Sequence, residues 1–269
     1  MQRDSSPDFI EAVARGLDVI KAFRAGLPEM TLTQVATATG LARPTARRIL
    51  LTLEALGYVR SNAARSYSLT PRVLELGSAY VQSLGLWDVA RPHMERLVAQ
   101  TRESSSIAQL DGSDIAYVAR VAVPKIIALS VSIGTRFPAL QTSLGKVLLA
   151  ALPPDEVDLV LAEPSRSGVE PRWCPDATER EQVLREVRAR GWALTDEQLA
   201  PGIRSVAAPL RDGTGRVIAA MNVTVHAAET SVERLTQEHL PLLLQAAGAV
   251  SADFAQLATL PVTSSGAAS

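Results

Sequence analysis

The chain of 269 residues contains very little cysteine or histidine. Its single cysteine, Cys174, cannot form an intramolecular disulfide, so we expect a reducing compartment and predict a cytoplasmic protein. The three histidines, His93, His226 and His239, lie far apart and have no neighbouring cysteine, which argues against the ligand spacing of a zinc site. We therefore expect no metal ion and no other cofactor.

Long apolar runs and catalytic motifs are also missing. No stretch of about 18 apolar residues could span a bilayer, and the start, MQRDSSPDFIEAVARG, lacks the apolar core of a secretory signal. No G-x-S-x-G motif occurs, and Lys146 lacks the first glycine and the following Ser/Thr of a P-loop. Cys174 stands alone in PRWCPD without a resolving partner for redox chemistry. We expect no catalytic residues and no enzymatic activity.

Positive charge is scarce overall but concentrated in one window. The whole chain has a formal net charge of −1. Residues 41–72 contain six arginines and one acid, a charge of +5, so the remaining residues together carry −6. A basic patch on an otherwise acidic protein is typical of a surface that binds a phosphate backbone.

The first 70 residues have the pattern of three helices followed by two strands. Apolar residues recur at helical spacing from Phe9 to Arg24, and a second helix, with Thr33 as its predicted N-cap, ends at Gly40. A third helix begins near Pro44 and ends near Gly57, with an apolar stripe formed by Ala46, Ile49, Leu50 and Leu53. Residues 58–69 alternate as two short strands around a turn at 62–65.

This order predicts a winged helix-turn-helix DNA-binding domain over residues 1–70. In that architecture the second helix of the motif enters the major groove while its apolar face stays docked on the other helices. Arginine can then read guanine or contact phosphate. The predicted DNA-binding residues are Thr33, Gln34, Arg43, Thr45, Arg47, Arg48 and Arg65. The alternative is that the helix arginines form only a solvated surface.

Residues 71–86 are predicted to form a linker helix and residues 87–257 a second domain, followed by a disordered tail over 258–269. Strand patterns at SSIAQL, IAYVARV and IIALSVSI, a strand at GWALT and a hairpin over 205–226 alternate with helices that include TSLGKVLLAAL and a last helix over 232–257. Hairpins without strict βαβ alternation indicate an α+β fold on a central antiparallel sheet.

Several segments resemble the IclR family of bacterial transcriptional regulators. RGLDVIKAF, TQVATATGLARPTARRILLTLEALGYV and YSLTPRVLELGSAY are similar to its DNA-binding half. TSLGKVLLAAL, GWALTDEQLAPGIRSVAAPLRD and VIAAMNVTV are similar to its GAF-like effector-binding half. Among the branches of this family, these motifs most resemble the one that controls protocatechuate, 4-hydroxybenzoate and β-ketoadipate catabolism.

The resemblance implies a pocket for a small organic acid between the sheet and the helix that begins at Thr142. Free N–H groups at that helix start suit a carboxylate. The implied effector-binding residues are Ile126, Leu129, Arg136, Ser143, Leu144, Gly145, Thr195, Ser205, Asn222 and Thr224. Alternatives stay open: Ser143 as a simple helix cap, Ser205 and Thr224 as ordinary strand residues, and Arg136 as a surface or dimer-contact residue. Asn222 lies in an apolar strand, where a buried amide needs partners.

Together these features predict a ligand-responsive transcription factor. Its expected partners are an operator in double-stranded DNA, a small carboxylate effector and further copies of the chain in a homodimer or homotetramer, with no membrane. The alternative is a GAF-like redox or hydrolytic enzyme with an added helical domain. A pure protein-interaction module would not account for the basic helix.

Overall fold

The computed structural model describes residues 8–24, 27–77, 85–124 and 131–257. The chain divides into two compact units, Met1–Ser83 and Leu84–Ser269.

The N-terminal unit is a winged helix-turn-helix. Its elements are α1 (Glu11–Ala22), β1 (Glu29–Thr31), α2 (Leu32–Thr39), α3 (Arg43–Ala55), β2 (Val59–Ser61) and β3 (Ser66–Leu69), followed by a 3₁₀ turn at Pro71–Leu74. The three helices and the two predicted wing strands are confirmed. The sequence did not predict β1, which pairs antiparallel with β3 and gives the sheet order β1-β3-β2.

The prediction of Thr33 as the N-cap of α2 is wrong, because Thr31 has that role. The Thr31 side chain accepts a hydrogen bond from the backbone N–H of Gln34, whose own side chain accepts one from the backbone N–H of Thr31. This reciprocal capping box satisfies two N–H groups that a helix start leaves unpaired. At the other end Gly40 adopts a left-handed conformation with φ 67°, which sets the tight turn into α3.

The second unit is an α+β domain, as predicted. Helix α4 (Leu86–Thr101) precedes the hairpin β4 (Ser104–Asp111) and β5 (Asp114–Val121), then β6 (Arg136–Pro138) and a 3₁₀ turn (Ala139–Gln141). Helices α5 (Ser143–Ala150), α6 (Pro154–Ala162) and α7 (Ala177–Arg190) follow. The chain continues with β7 (Ala193–Asp196), β8 (Ile203–Arg211) and β9 (Val217–His226), and then α8 (Val232–Arg234), a π-helical turn (Leu235–His239) and α9 (Leu240–Leu257).

The six strands form one antiparallel sheet in the order β6-β5-β4-β9-β8-β7. Alternate residues of each strand face opposite sides. Ile107, Val206 and Met221 pack with α4 and α9 on one side, whereas Ala207 and Ala220 pack with α5 on the other. The small residues on the second side let α5 lie close to the sheet.

Four predicted segments differ from the structure or fall wholly or partly outside its described part. The predicted strand IIALSVSI lies mostly outside the described residues, and the strand that follows β5 in the described chain is β6, starting at Arg136. The predicted helix over 232–257 is interrupted by the π-helical turn. The linker prediction for 71–86 falls partly, and the tail prediction for 258–269 entirely, outside the described residues.

Candidate functional site

Helix α3 buries one face and leaves the other open. Pro44 lies in the first turn, where its missing N–H costs nothing. Ala46, Leu50 and Leu53 are buried against the rest of the N-terminal unit, as their spacing predicted. The orientation of α3 about its own axis is therefore fixed by apolar packing.

The open face of α3 presents cations near the start of the helix. Arg43, Arg47 and Arg48 are exposed and Thr45 is half-buried. Within the described residues no acid forms an ion pair with these three arginines. Glu54, the one acid of the basic window, accepts hydrogen bonds from the backbone N–H of Ser61, at 3.0 Å, and from its hydroxyl. The positive charge of the helix is thus left available to an anionic partner.

The wing turn holds a further exposed arginine. Arg65 has a left-handed backbone with φ 58°, a conformation that costs an L-residue about 1 kcal/mol. The turn is closed by Asn62, whose side chain accepts from the N–H of Ser66 at 3.0 Å. Thr33 and Gln34 are exposed at the start of α2, although the Gln34 side-chain oxygen is occupied by the capping box.

A cavity lies in the second unit, on the side of the sheet that faces α5. Residues of all six strands of the sheet line it, together with the turn before α5. The lining residues are Glu103, Ser104, Tyr117, Arg120, Val123, Val131, Phe137, Gln141, Thr142, Thr195, Leu199, Ile203, Ser205, Asn222, Thr224, Val225 and His226. Four of the residues predicted for effector binding are among them, Thr195, Ser205, Asn222 and Thr224.

Three buried hydroxyl groups form a chain at one side of this cavity. The Ser205 hydroxyl lies 2.7 Å from that of Ser143 and 2.8 Å from that of Thr195. Because these residues come from β8, α5 and β7, the chain joins the helix start to two strands. We refer to Ser143, Ser205 and Thr195 as the hydroxyl chain. The backbone pairing of Ser205 with both Thr195 and Thr224 explains why residues distant in sequence meet here.

Asn222 has the partners that its burial requires. Its side-chain oxygen accepts from the backbone N–H of Ser106 at 3.0 Å, and its amide nitrogen donates to the Thr224 hydroxyl at 3.0 Å. The amide therefore ties β4 to β9 and orients Thr224 toward the cavity wall.

Some of the hydrogen-bonding groups at the start of α5 are already paired within the protein. The Thr142 hydroxyl accepts from the N–H of Gly145 at 2.9 Å and donates to the carbonyl of Ala139 at 3.0 Å. Gly145 is required sterically, because a side-chain carbon there would overlap the backbone carbonyl of Ala139. Leu144 is buried in the apolar cluster under the sheet. Of this segment, it is Thr142 that lines the cavity.

Arg136, another of the predicted effector residues, is not brought to the cavity. The guanidinium of Arg136 forms an ion pair with Asp111, at the hairpin between β4 and β5, and the residue is not part of the cavity lining. Ile126 and Leu129 lie outside the described residues.

Sequence reasoning missed Tyr117, Arg120 and His226, all of which line the cavity. His226 accepts a hydrogen bond at Nδ1 from the N–H of Ala228, which places the proton of the neutral ring on Nε2. The position of His226 two residues after Thr224 in one strand was a signal that could have identified it. Tyr117 and Arg120 gave no such signal, because a bulge in the pairing of β4 with β5 changes the face of the sheet on which their side chains lie.

Lys146 is buried beside the site without a carboxylate partner among the described residues. Its ammonium donates to the carbonyl of Leu194 at 3.4 Å and to the side chain of Gln198, and it lies 4.6 Å from the ring centre of Trp173. Burial, and secondarily the charge of Arg190, lowers the pKa of Lys146 to about 8. These hydrogen bonds connect α5 to β7 and to the segment that follows it.

Comparison with known proteins identifies both units. Residues 12–63 match the IclR helix-turn-helix domain, and residues 78–252 match the domain described as Bacterial transcriptional regulator IclR C-terminal. The chain belongs to the IclR family.

Relatives of known role agree with this assignment. The chain is 39% identical over 241 residues to the Pca regulon regulatory protein of Pseudomonas putida, covering 89% of this chain and 82% of that protein. It is 34% identical over 241 residues to the p-hydroxybenzoate hydroxylase transcriptional activator of Acinetobacter baylyi, covering 88% and 89%. These relatives are transcriptional regulators rather than enzymes, so this IclR-family protein is a DNA-binding regulator and the enzymatic alternative is not supported.

Solved structures show the same architecture. A protein from Rhodococcus sp. RHA1 has a TM-score of 0.80 at 45% identity, covering 93% of this chain and all of that one. An IclR homologue from Microbacterium hydrocarbonoxydans complexed with 4-hydroxybenzoate has a TM-score of 0.77 at 25% identity, covering 91% and 99%. None of the described helices of the present protein is long and apolar enough to cross a membrane.

Proposed function

We propose that this IclR-family regulator binds its operator through α3 and the wing, and that a small carboxylate in the cavity changes its affinity for that operator. The observation that carries the DNA half is the set of exposed, unneutralised arginines on an α3 whose opposite face is locked into the core. The residues assigned to DNA are Thr33, Gln34, Arg43, Thr45, Arg47, Arg48 and Arg65. Base contacts from α3 would give specificity, and Arg65 would contact phosphate.

The cavity is the proposed effector site. Its walls combine aromatic and aliphatic side chains with a few convergent polar groups, the composition of a small-molecule site. The observation that carries this half is the hydroxyl chain, because it links the cavity to three separate elements whose positions a ligand could bias together. Thr195, Ser205 and Thr224 would contact the effector, and Asn222 would orient Thr224. Ser143, Leu144 and Gly145 would shape the helix start.

An aromatic acid or a metabolite of the β-ketoadipate pathway is the proposed effector class. The name of the Acinetobacter relative refers to p-hydroxybenzoate hydroxylase, and the Microbacterium homologue was crystallised with 4-hydroxybenzoate. The rings of Tyr117 and Phe137, packed edge to face with centroids 5.9 Å apart, give this cavity an aromatic wall that fits such a ligand.

A homodimer or homotetramer in the cytoplasm is the proposed working form. Helix α1 and the residue before it expose an apolar stripe of Ile10, Val13 and Leu17, which are 66%, 58% and 45% exposed. Exposed apolar stripes are typical of contact surfaces, and paired recognition helices match a palindromic operator.

The test uses DNA fragments that the unmodified protein selects from a random-sequence pool. We expect Arg47→Ala to weaken binding of these fragments about five- to 150-fold, since one good base contact is worth roughly 1–3 kcal/mol. Arg185→Ala, which removes an exposed arginine from α7, serves as the charge control and should bind as the unmodified protein does. Fluorescence anisotropy at fixed salt measures the affinity, and thermal unfolding checks the fold. Equal affinity of the Arg47 variant would contradict the assignment of α3.

The effector half has its own measurement. Addition of 4-hydroxybenzoate, protocatechuate or β-ketoadipate should shift the affinity of the unmodified protein for the selected DNA. If none of these acids changes DNA affinity or raises the unfolding temperature, the proposed effector class is wrong while the DNA-binding assignment stands.

A further inference from the structure

The polar groups of the cavity are divided between two ends. One end is the hydroxyl chain with the neighbouring Thr142 at the start of α5. The other end lies over β4 and β5, where Tyr117 and Arg120 reach the cavity. Arg120 is the only lysine or arginine among the described lining residues.

A β-bulge brings Tyr117 and Arg120 to the same side of the sheet. Residues three apart in a regular strand point to opposite faces. The pairing of β4 with β5 shifts between Ile107 and Ala108, so that Ser106 lies opposite Arg120 while Ala108 lies opposite Tyr117. The extra residue on β5 reverses the alternation. A cation and a phenol are thus presented together to the cavity.

Arg120 retains unused donors. One terminal nitrogen of its guanidinium donates to the Ser106 hydroxyl at 2.9 Å. No carboxylate among the described residues pairs with it, although a guanidinium carries five N–H donors. Burial lowers the pKa of Arg120, and Tyr117 is the titratable neighbour that opposes this shift. Glu103 also lines the cavity, and its charge acts on Arg234.

Tyr117 supplies a neutral donor beside this cation. Its side chain is buried, and burial raises the pKa of its phenol to about 12, so the hydroxyl keeps its proton at neutral pH. Within the described part of the chain the hydroxyl has no hydrogen-bond partner, whereas its ring packs on Phe137. A guanidinium next to an unused O–H donor is an arrangement that binds a carboxylate.

The opposite end is less suited to a carboxylate. The Thr142 hydroxyl already takes the N–H of Gly145, and the Ser143 hydroxyl is already bonded to Ser205. The hydroxyl chain can still exchange one hydrogen bond with a neutral group of a ligand, because each hydroxyl both donates and accepts.

We propose that Arg120 and Tyr117 bind the carboxylate of the effector and that its other end, carrying a neutral hydroxyl, meets the hydroxyl chain. This orientation is the reverse of one in which the start of α5 holds the acid. The guanidinium of Arg120 bonds the hydroxyl of Ser106 on β4. Ser205 lies on β8, two strands from β4, which is roughly 10 Å at the usual strand spacing. A hydroxy acid built on a ring spans most of that gap, whereas a two- or three-carbon keto acid does not. The inference rests on the proposed function, in that the cavity is taken as the effector site.

The experiment compares an acid with its neutral amide by isothermal titration calorimetry on the full chain. The probes are 4-hydroxybenzoate and 4-hydroxybenzamide, which have the same shape and differ in charge. We expect the unmodified protein to prefer the acid. Arg120→Gln keeps a donor for Ser106 but removes the charge, and should weaken binding of the acid about ten- to hundredfold while changing binding of the amide little.

Two further variants and one control separate contact from general damage. Arg120→Lys should bind the acid with intermediate affinity, because it keeps the charge and loses the planar fork. Tyr117→Phe, which leaves the ring in place, should weaken the acid several-fold. The control is Arg136→Gln, which removes a guanidinium of the same domain that is paired with Asp111 outside the cavity lining. It should keep the preference for the acid.

The possible outcomes distinguish this inference from the proposed function. Binding of the acid by the unmodified protein together with an unchanged acid preference in Arg120→Gln would overturn the orientation and leave the effector site standing. Loss of acid preference in Arg136→Gln instead would place the carboxylate at β6. Absence of any response of the unmodified protein to the acid would contradict both the effector class and the orientation.

Discussion

Replacing Gly145 by alanine should destabilise the effector-binding unit, although alanine is the better helix former. Gly145 lies in α5 with an ordinary helical backbone, so propensity alone favours alanine by about 1 kcal/mol. The added methyl, however, would overlap the carbonyl of Ala139, a backbone group that cannot rotate away as a side chain could. Overpacking of this kind costs about 1–3 kcal/mol, and more where backbone must move. With the overlap at the upper end of that range, about 3 kcal/mol, and the propensity gain of about 1 kcal/mol subtracted, we expect a net loss of roughly 2 kcal/mol.

The displacement should also reach the cavity. To accommodate the methyl, α5 must move from the 3₁₀ turn at Ala139–Gln141, which disturbs the 2.7 Å contact between Ser143 and Ser205. A loss of 2 kcal/mol corresponds to a fall of about 4–8 °C in unfolding temperature for a unit of this size. Binding of 4-hydroxybenzoate should weaken in parallel, while binding of selected DNA fragments below the unfolding transition should persist.

Gly248 provides the matched control. It lies within α9 of the same unit, and a methyl there would meet no atom within 4 Å. Gly248→Ala should stabilise the unit by about 0.5–1 kcal/mol. Calorimetric unfolding of the two variants beside the unmodified protein measures both effects. An unfolding temperature for Gly145→Ala equal to or above that of the unmodified protein would refute the steric argument.

Two further predictions concern buried polar side chains of the same unit. The pKa of Lys146 in the folded protein is about 8, below the 10.5 of an unburied lysine, so between these values the unfolded chain holds the extra proton. Stability relative to Lys146→Met should rise from pH 8 to 10.5, by up to roughly 3 kcal/mol, and parallel urea-unfolding profiles of the two proteins across this range would contradict it. Asn222→Leu leaves the N–H of Ser106 without its acceptor, which should cost about 1–3 kcal/mol and weaken the response to 4-hydroxybenzoate more than DNA binding. Equal loss of both activities, measured by anisotropy and calorimetry, would instead indicate general misfolding.

The sequence by itself determined the architecture of the DNA-binding half. Apolar spacing in α3, with Leu50 and Leu53 on one side and Arg47 and Arg48 on the other, is a local signal that survives in the fold because helix geometry alone converts spacing into faces. The resemblance to the IclR family lies in contiguous motifs and is likewise a property of the sequence alone. The strand β1 was missed because three residues are too few to show a period, and its existence depends on pairing with β3.

The cavity was predictable only in part. Asn222 and Thr224 stand two apart in one strand, and the need of a buried amide for partners identified Asn222 from sequence. The partners themselves, such as Ser106 for Asn222, come from other strands and could not be inferred without the register.

Tertiary structure alone decided where the cations act. Arg136 precedes the α5 segment in sequence and looked suited to a carboxylate, yet in the fold its guanidinium forms an ion pair with Asp111. In the sequence, nothing distinguishes Arg120 from other arginines in strands. A β-bulge turns it toward the cavity beside Tyr117, and local periodicity does not encode such a bulge. A helix displays its surface chemistry through local spacing, whereas a site on a sheet is assembled from distant residues, so its composition depends on strand order and register.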